Sequence, residues 1–176
     1  MHLILGGARS GKSVRAVELA TPYEEVIFLA TGVATDREMK ERIVKHKQDR
    51  PTGWRTIEEP VHIVSVLRDL RKEMFTGAVL FDCLGFWIGN LMEQNSSDEF
   101  GAVEEAVLGK VRNAIEAIST GEYNLIMVSN IAGMGLVPST RVGREFRDIL
   151  GRANQICASE AETVTLMVAG LPVPLK

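Results

Sequence analysis

Short apolar runs alternate with amphipathic stretches along the whole chain, and the change of period from two to between three and four predicts strands and helices in turn. His2-Leu3-Ile4-Leu5 predicts a first strand, and residues 13–20 a helix. Glu25-Val26-Ile27-Phe28-Leu29-Ala30 predicts a buried strand that ends at Thr31-Gly32. Residues 36–47 predict a helix and 55–58 a short strand. Pro60 in a first turn starts a helix with Ile63, Val66, Leu67 and Leu70 on one face. Ala78-Val79-Leu80-Phe81-Asp82 is an apolar strand closed by an acid. Ser96 with Glu99 three residues on makes a capping box for a long helix, whose stripe is Phe100, Val103, Val107, Val111, Ala114 and Ile118. Leu125-Ile126-Met127-Val128 is another central strand. A helix over 140–162, with Val142, Phe146, Ile149, Ala153 and Ile156 turned inward, and a strand over 163–169 complete the pattern.

Strands that alternate with helices point to an α/β fold with a mostly parallel central sheet flanked by helices. At 176 residues and 45% hydrophobic content, the chain suits one domain over 1–176. A net charge of -3 removes the electrostatic footprint of a general nucleic-acid binder. Arg141, Arg144, Arg147 and Arg152 form a basic cluster, but Glu145 and Asp148 interleave it, which reads as a solvated face. Cys83 and Cys157 stand apart in apolar surroundings and read as reduced core thiols rather than a metal site. The first residues lack a signal-peptide layout and no segment is apolar enough to span a membrane, so a soluble cytoplasmic protein is expected.

Chemistry enters where the first strand ends. Gly6-Gly7-Ala8-Arg9-Ser10-Gly11-Lys12-Ser13 is a GxxxxGKS phosphate-binding pattern set between a strand and a helix. Its small residues let successive backbone N–H groups curl around phosphates at the positive end of the helix. Lys12 then reaches the terminal phosphates, and the Ser13 hydroxyl is a ligand for Mg²⁺ brought with GTP or ATP. In a parallel sheet, ligands sit beyond the carboxyl ends of the strands. Asp82 ends one strand and reads either as the magnesium-holding acid or as the N-cap of the segment that begins at Leu84. Thr31, Gly32 and Val33 end another, as a nucleotide contact or a plain turn, and Asn130 to Pro138 form a substrate loop or a simple connection. Met39, Ile43 and His46 fall on one helical face, which turns an imidazole inward, either as a core residue or as a nucleophile on phosphorus. Lys47 and Arg50 beside it serve a transferring phosphate or decorate a helix end.

Taken together, the phosphate loop, Arg42-Ile43 with His46-Lys47 and Arg50-Pro51, and Trp54-Arg55-Thr56 with Glu58 carry a family resemblance. So do Asp82-Cys83-Leu84 with Trp87 and Asn90-Leu91, Ser129-Asn130 with residues 133–138, and Gly151-Arg152 with Asn154-Gln155. Over nearly its whole length the chain resembles the bifunctional adenosylcobinamide kinase/adenosylcobinamide-phosphate guanylyltransferases of cobalamin biosynthesis. The resemblance implies a RecA-like P-loop fold, often a homotrimer, with two activities on the aminopropanol arm of a corrinoid. Adenosylcobinamide is phosphorylated by a nucleoside triphosphate, and GMP from GTP is carried on a histidine to the resulting phosphate, giving adenosylcobinamide-GDP. The guanylylated histidine falls on His46, with Lys12 as the catalytic cation. Thr31, Gly32, Val33, Lys47, Gln48, Asp49, Arg50, Glu58 and Asp82 match segments used around the guanine nucleotide, with Asp82 and Ser13 on the metal. Gly85 stands where that family usually has Thr, and Ile131 where it usually has Glu, so the phosphorylating half is the less completely matched. Trp87, Met134 or Leu136 either offers the corrinoid an apolar surface or packs in the core. The plainer alternatives are a small-molecule P-loop kinase without guanylyl transfer, and a non-catalytic nucleotide-binding module.

Overall fold

In the computed structural model, which describes residues 1–34, 36–48, 50–95 and 99–176, the alternation becomes a seven-stranded sheet between helices. The side chains of Arg42, His46, Gln48 and Phe100 fall outside the described set. The elements run β1 (His2–Gly6), α1 (Lys12–Ala20), β2 (Val26–Ala30), α2 (Arg37–Gln48), β3 (Arg55–Glu58), α3 (Ile63–Lys72) and β4 (Ala78–Asp82). There follow α4 (Leu84–Gln94), α5 (Phe100–Ser119), β5 (Asn124–Asn130), a 3-10 turn (Ala132–Met134), α6 (Arg141–Glu160), β6 (Thr163–Val168) and β7 (Leu171–Pro174). The strand order is β3-β2-β4-β5-β1-β6-β7, parallel everywhere except between β6 and β7.

Both faces of the sheet are covered, which is why its strands read as continuous apolar runs rather than as an apolar-polar alternation. Leu3, Leu5, Ile27, Leu29, Val79, Phe81, Leu125 and Met127 point to one face and pack with α3, α4, α5 and α6. Ile4, Val26, Phe28, Ala78, Leu80, Ile126 and Val128 point to the other and pack with Ala16 and Ala20 of α1. The α5 stripe holds as expected, with Val103, Val107, Val111 and Ala114 buried. Cys83 and Cys157 are free and buried, and burial pushes both thiols up to about 12, so they stay protonated.

Several expectations are corrected. α3 starts at Ile63, not at Pro60, because the Glu59 carboxylate accepts the N–H groups of Val61 (2.9 Å) and His62 (2.8 Å) and holds a turn there. His62 is its N-cap residue. Val142 is 66% exposed, and the buried stripe begins only further along the helix, with Ile149 and Leu150. Its cap is Thr140, whose hydroxyl accepts from Gly143 N–H at 3.2 Å. α5 begins at Phe100 after Glu99, which makes no side-chain cap bond, and Ser96 of the expected capping box lies outside the described residues.

The sequence pattern missed β7. Ala169 and Gly170 form the turn of a β6–β7 hairpin, both with left-handed φ (51° and 84°), as a two-residue hairpin turn requires. Leu175 N–H donates to Val164 C=O at 2.8 Å, so alternate residues of this strand donate inward. Pro172 and Pro174 take the intervening positions and leave the outer edge without those donors.

Candidate nucleotide site at the strand ends

Parallel strands end together, and here their ends bring distant parts of the sequence onto one ridge. Glu58 of β3 lies in register with Ala30 of β2, and Ala30 with Asp82 of β4. Gly6 of β1 lies in register with Asn130 of β5, the strand between β1 and β4. The phosphate loop, Asp82 and Glu58 therefore share one edge of the sheet, with Glu58 two strand spacings, roughly 10 Å, from Asp82.

The loop Gly6, Gly7, Ala8, Arg9, Ser10, Gly11, Lys12 and Ser13 is already closed upon itself. Lys12 Nζ donates to Gly7 C=O at 2.5 Å and to Ser10 Oγ at 3.5 Å. Burial lowers the Lys12 pKa from the ordinary lysine value. Gly11 takes a left-handed φ of 95° as the N-cap of α1, and a Cβ there would stand 3.2 Å from Gly170 Cα. Gly170 N–H also donates to Ser10 C=O at 3.0 Å, so the hairpin that the sequence pattern missed braces the loop. The readable signal for it was Ala169-Gly170 between two apolar runs, followed by alternate prolines.

Ser13 Oγ donates to Asp82 Oδ2 at 3.1 Å. The N-cap of α4 is Cys83 rather than Asp82, so the Asp82 carboxylate turns to the loop and not to the helix. Thr31 is wholly buried and fully engaged: its N–H donates to Asp82 C=O, its hydroxyl donates to Cys83 C=O (2.8 Å) and accepts from Cys83 N–H (2.9 Å). Its carbonyl accepts from Asn90 Nδ2 at 2.8 Å. Thr31 is thus a strut under the ridge, and of that segment only Gly32 and Val33 open to solvent. Asn90 Nδ2 also donates to Pro60 C=O (2.9 Å), and Trp87 Nε1 to Val61 C=O (2.9 Å), so α4 ties together the loops after β2 and β3. In sequence, Asn90 stood out only as one of the residues that carry the family resemblance, with no structural part assigned to it.

The end of α2 docks on the far end of the ridge. A Cβ on Gly32 would meet Met39 Cε at 3.6 Å and Ile43 Cδ1 at 3.8 Å, so this face of α2 lies over the end of β2. Lys47 forms an ion pair with Glu58. The Arg50 guanidinium stacks over Phe28 with Cζ 3.8 Å from the ring centroid, and donates to Thr56 Oγ1 at 3.3 Å. Burial lowers its pKa, with Glu58 and Asp82 pulling the other way. The backbone of His46 lies on α2 between Ile43 and Lys47, while its side chain, that of Gln48, and all of Asp49 are outside the described residues.

Of the residues weighed for an apolar ligand, Trp87 is completely buried and belongs to the core. Met134 (81% exposed), Leu136 (97%) and Val137 stand open on the loop after β5. The basic cluster on α6 is engaged: Arg141 with Glu145, Arg147 with Asp148, Arg152 with Glu104, and Arg144 on the carbonyls of Pro138 and Ser139. Among the described residues, no helix is long and apolar enough to cross a membrane.

Comparison with solved structures gives the fold independently. An ATPase from the type III secretion system of pathogenic bacteria superposes with a TM-score of 0.59 at 10% identity, covering 94% of this chain and 51% of that one. The chain is 36% identical to the bifunctional adenosylcobalamin biosynthesis protein CobU of Escherichia coli K12, over 100% of this chain and 99% of the relative. It is 40% identical to the bifunctional adenosylcobalamin biosynthesis protein CobP of Pseudomonas aeruginosa, over 99% of this chain and 96% of the relative. It is 37% identical to CobU of Salmonella typhimurium LT2, again over 100% and 99%. Because the profile described as cobinamide kinase / cobinamide phosphate guanyltransferase matches residues 2–175, a span that holds the whole ridge, this chain belongs to that family.

Proposed function

We propose that this protein phosphorylates adenosylcobinamide with a nucleoside triphosphate and then transfers GMP from GTP to adenosylcobinamide phosphate, giving adenosylcobinamide-GDP. The observation that carries this reading is that the strand order β2-β4-β5-β1 sets the end of α2, which bears His46, on the same ridge as the phosphate loop. A catalytic group from the second helix thereby works on a triphosphate held at the first.

In the guanylyl half, a neutral His46 imidazole nitrogen attacks the α-phosphorus of GTP, the bond to the pyrophosphate oxygen breaks, and pyrophosphate leaves. An oxygen of adenosylcobinamide phosphate then attacks the same phosphorus and the P–N bond breaks, which frees His46. Lys12 and the backbone N–H groups of the loop stabilise the charge on the leaving pyrophosphate. Arg50, Lys47, Gly32, Val33 and Glu58 surround the nucleotide, Thr31 holds that segment in place, and the family resemblance adds Gln48 and Asp49 to the same nucleotide-binding set. In the kinase half, the hydroxyl oxygen of the aminopropanol arm attacks the γ-phosphorus held by the same loop, the bond from that phosphorus to the β–γ bridging oxygen breaks, the nucleoside diphosphate leaves, and the hydroxyl proton passes to solvent.

Ser13 and Asp82 would hold Mg²⁺, and the ion would supply neutralisation of the phosphate charge during transfer. The donor set suits it: two hard oxygens already in contact, and no cluster of three His, Cys, Asp or Glu among the described residues, as for an ion that keeps waters and phosphates as its other ligands. Met134, Leu136 and Val137 offer the corrinoid an apolar surface beside the ridge. Action in the cytoplasm is the expectation from the reduced cysteines and the lack of a signal-peptide layout, and a homotrimer is the expectation from the family resemblance.

The test uses GTP labelled at the α-phosphorus. The expected product is protein-bound label that is acid-labile and alkali-stable, absent in His46→Ala. Label retained by His46→Ala overturns the assignment, and phosphorylation of adenosylcobinamide without any protein-bound label reduces the protein to a kinase.

A further inference from the structure

The strand order leaves one polar side chain on the ridge with no task so far. β5 is inserted between β1 and β4, so its last residue, Asn130, stands between the phosphate loop, whose Gly6 is its register partner, and the strand that ends in Asp82. Its main chain is pinned from two directions. Ile131 N–H donates to Gly6 C=O at 3.2 Å, and Asn154 Nδ2 of α6 donates to Asn130 C=O at 2.9 Å. The Asn154 amide is itself oriented, because its Oδ1 accepts from the buried Ser129 hydroxyl at 2.6 Å. The Asn130 side-chain amide, by contrast, is half-buried and makes no hydrogen bond to any described residue. Opposite it, in the first turn of α4, is Gly85, where a Cβ would come 3.2 Å from Asn130 Nδ2. That is closer than ordinary van der Waals contact, so any larger residue at 85 displaces the amide or is displaced by it.

A primary amide carries two N–H donors and takes no proton at neutral pH. Carried by a main chain pinned between the phosphate loop and the strand that ends in Asp82, the Asn130 amide is an available donor where charge shifts on a terminal phosphoryl group. We propose that Asn130 donates a hydrogen bond to the γ-phosphoryl oxygens of the bound nucleoside triphosphate, and so serves phosphorylation but not guanylyl transfer, whose reacting atom is the α-phosphorus. Asn154 is then a positioning residue that acts through the Asn130 backbone, and Gly85 keeps the amide clear. The inference rests on the phosphoryl-transfer reading of this site.

The experiment compares wild type, Asn130→Ala and Gly85→Ala as full chains with Mg²⁺. It measures GTP and GDP affinities by calorimetry, adenosylcobinamide phosphorylation, and GMP-histidine formation. Asn130→Ala weakens GTP binding about tenfold, the size of one hydrogen bond to a charged group, while GDP affinity stays within about twofold. The phosphorylation kcat falls by about tenfold or more, and GMP-histidine formation falls far less. Gly85→Ala shifts the GTP-to-GDP ratio in the same direction, and it carries the test should Asn130→Ala not fold. An unchanged ratio in the folded variant overturns the proposal, as does an equal fall in both transfers, the mark of a structural role. A wild-type protein that prefers GTP through Asn130 but does not phosphorylate adenosylcobinamide upholds the contact and overturns the substrate assignment instead.

Discussion

Ser13 and Asp82 are separated by 69 positions in sequence, yet the Ser13 hydroxyl donates to the Asp82 carboxylate across 3.1 Å. The first residue sits in the opening turn of α1 and the second at the end of β4, and only the register of the sheet brings them together. Asp82→Asn preserves an acceptor for Ser13 while removing the negative charge, so the fold should survive. Both transfers should fall by on the order of a hundredfold or more, and the Mg²⁺ requirement should shift to higher concentration. Initial rates across a Mg²⁺ titration decide it, and a variant with the wild-type Mg²⁺ profile removes Asp82 from the site.

Lys12 is a cation held among its own loop atoms with its pKa lowered by burial, so without phosphate its charge is a cost to the folded state. Lys12→Met is expected to leave the Tm of the ligand-free protein equal or higher. It should also abolish the stabilisation by GTP, which for wild type is about 2.7 kcal/mol at a hundred times Kd. Thermal unfolding with and without GTP measures both, and protection of Lys12→Met equal to that of wild type contradicts the role.

Trp87 and Leu136 make opposite predictions although both were candidates for an apolar ligand surface. Trp87 is completely buried, packs edge-on against Phe81 with ring centroids 6.0 Å apart, and gives its N–H to Val61. Trp87→Ala is expected to cost about 3–5 kcal/mol in denaturant unfolding. Leu136→Ser, at a side chain 97% exposed, is expected to change stability by less than about 0.5 kcal/mol but to raise the KM for the corrinoid. An unchanged corrinoid KM in Leu136→Ser moves the apolar platform elsewhere.

His2 lies on β1 with its Nε2 2.8 Å from Thr165 Oγ1, and burial, then Arg15 and the N-terminal amine, lower its pKa below the ordinary 6.5. The unfolded chain therefore takes up a proton at a higher pH than the folded one. The His2 contribution to stability is whole above about pH 6.5 and drains away as the pH falls through the lower folded-state value. The Tm of wild type should drop more steeply on acidification below neutral pH than that of His2→Asn, and parallel pH profiles would refute it.

What the chain alone determined is local in origin. The β1 to α1 turn is written in Gly6, Gly11, Lys12 and Ser13, because a phosphate cradle needs small residues, a cation and a hydroxyl at fixed spacing within one turn. The doubly covered sheet is legible in unbroken runs such as residues 78–81, because a strand buried on both faces has no polar alternation. Motif by motif resemblance even named the family. Tertiary structure decided the rest. The insertion of β5 between β1 and β4 is a matter of strand order, which no local pattern encodes, and it places Asn130 against the phosphate loop. Thr31, at a strand end, read as a nucleotide contact or as part of a plain turn, and it is hydrogen bonds to Cys83, Asp82 and Asn90 from remote parts of the chain that engage its polar groups. Trp87 and Met134 are both apolar in sequence, and only the packing of α4 against the sheet sends one to the core and leaves the other in solvent. Spacing along a chain fixes which groups a single turn can gather, whereas burial and register depend on which distant segments arrive beside it.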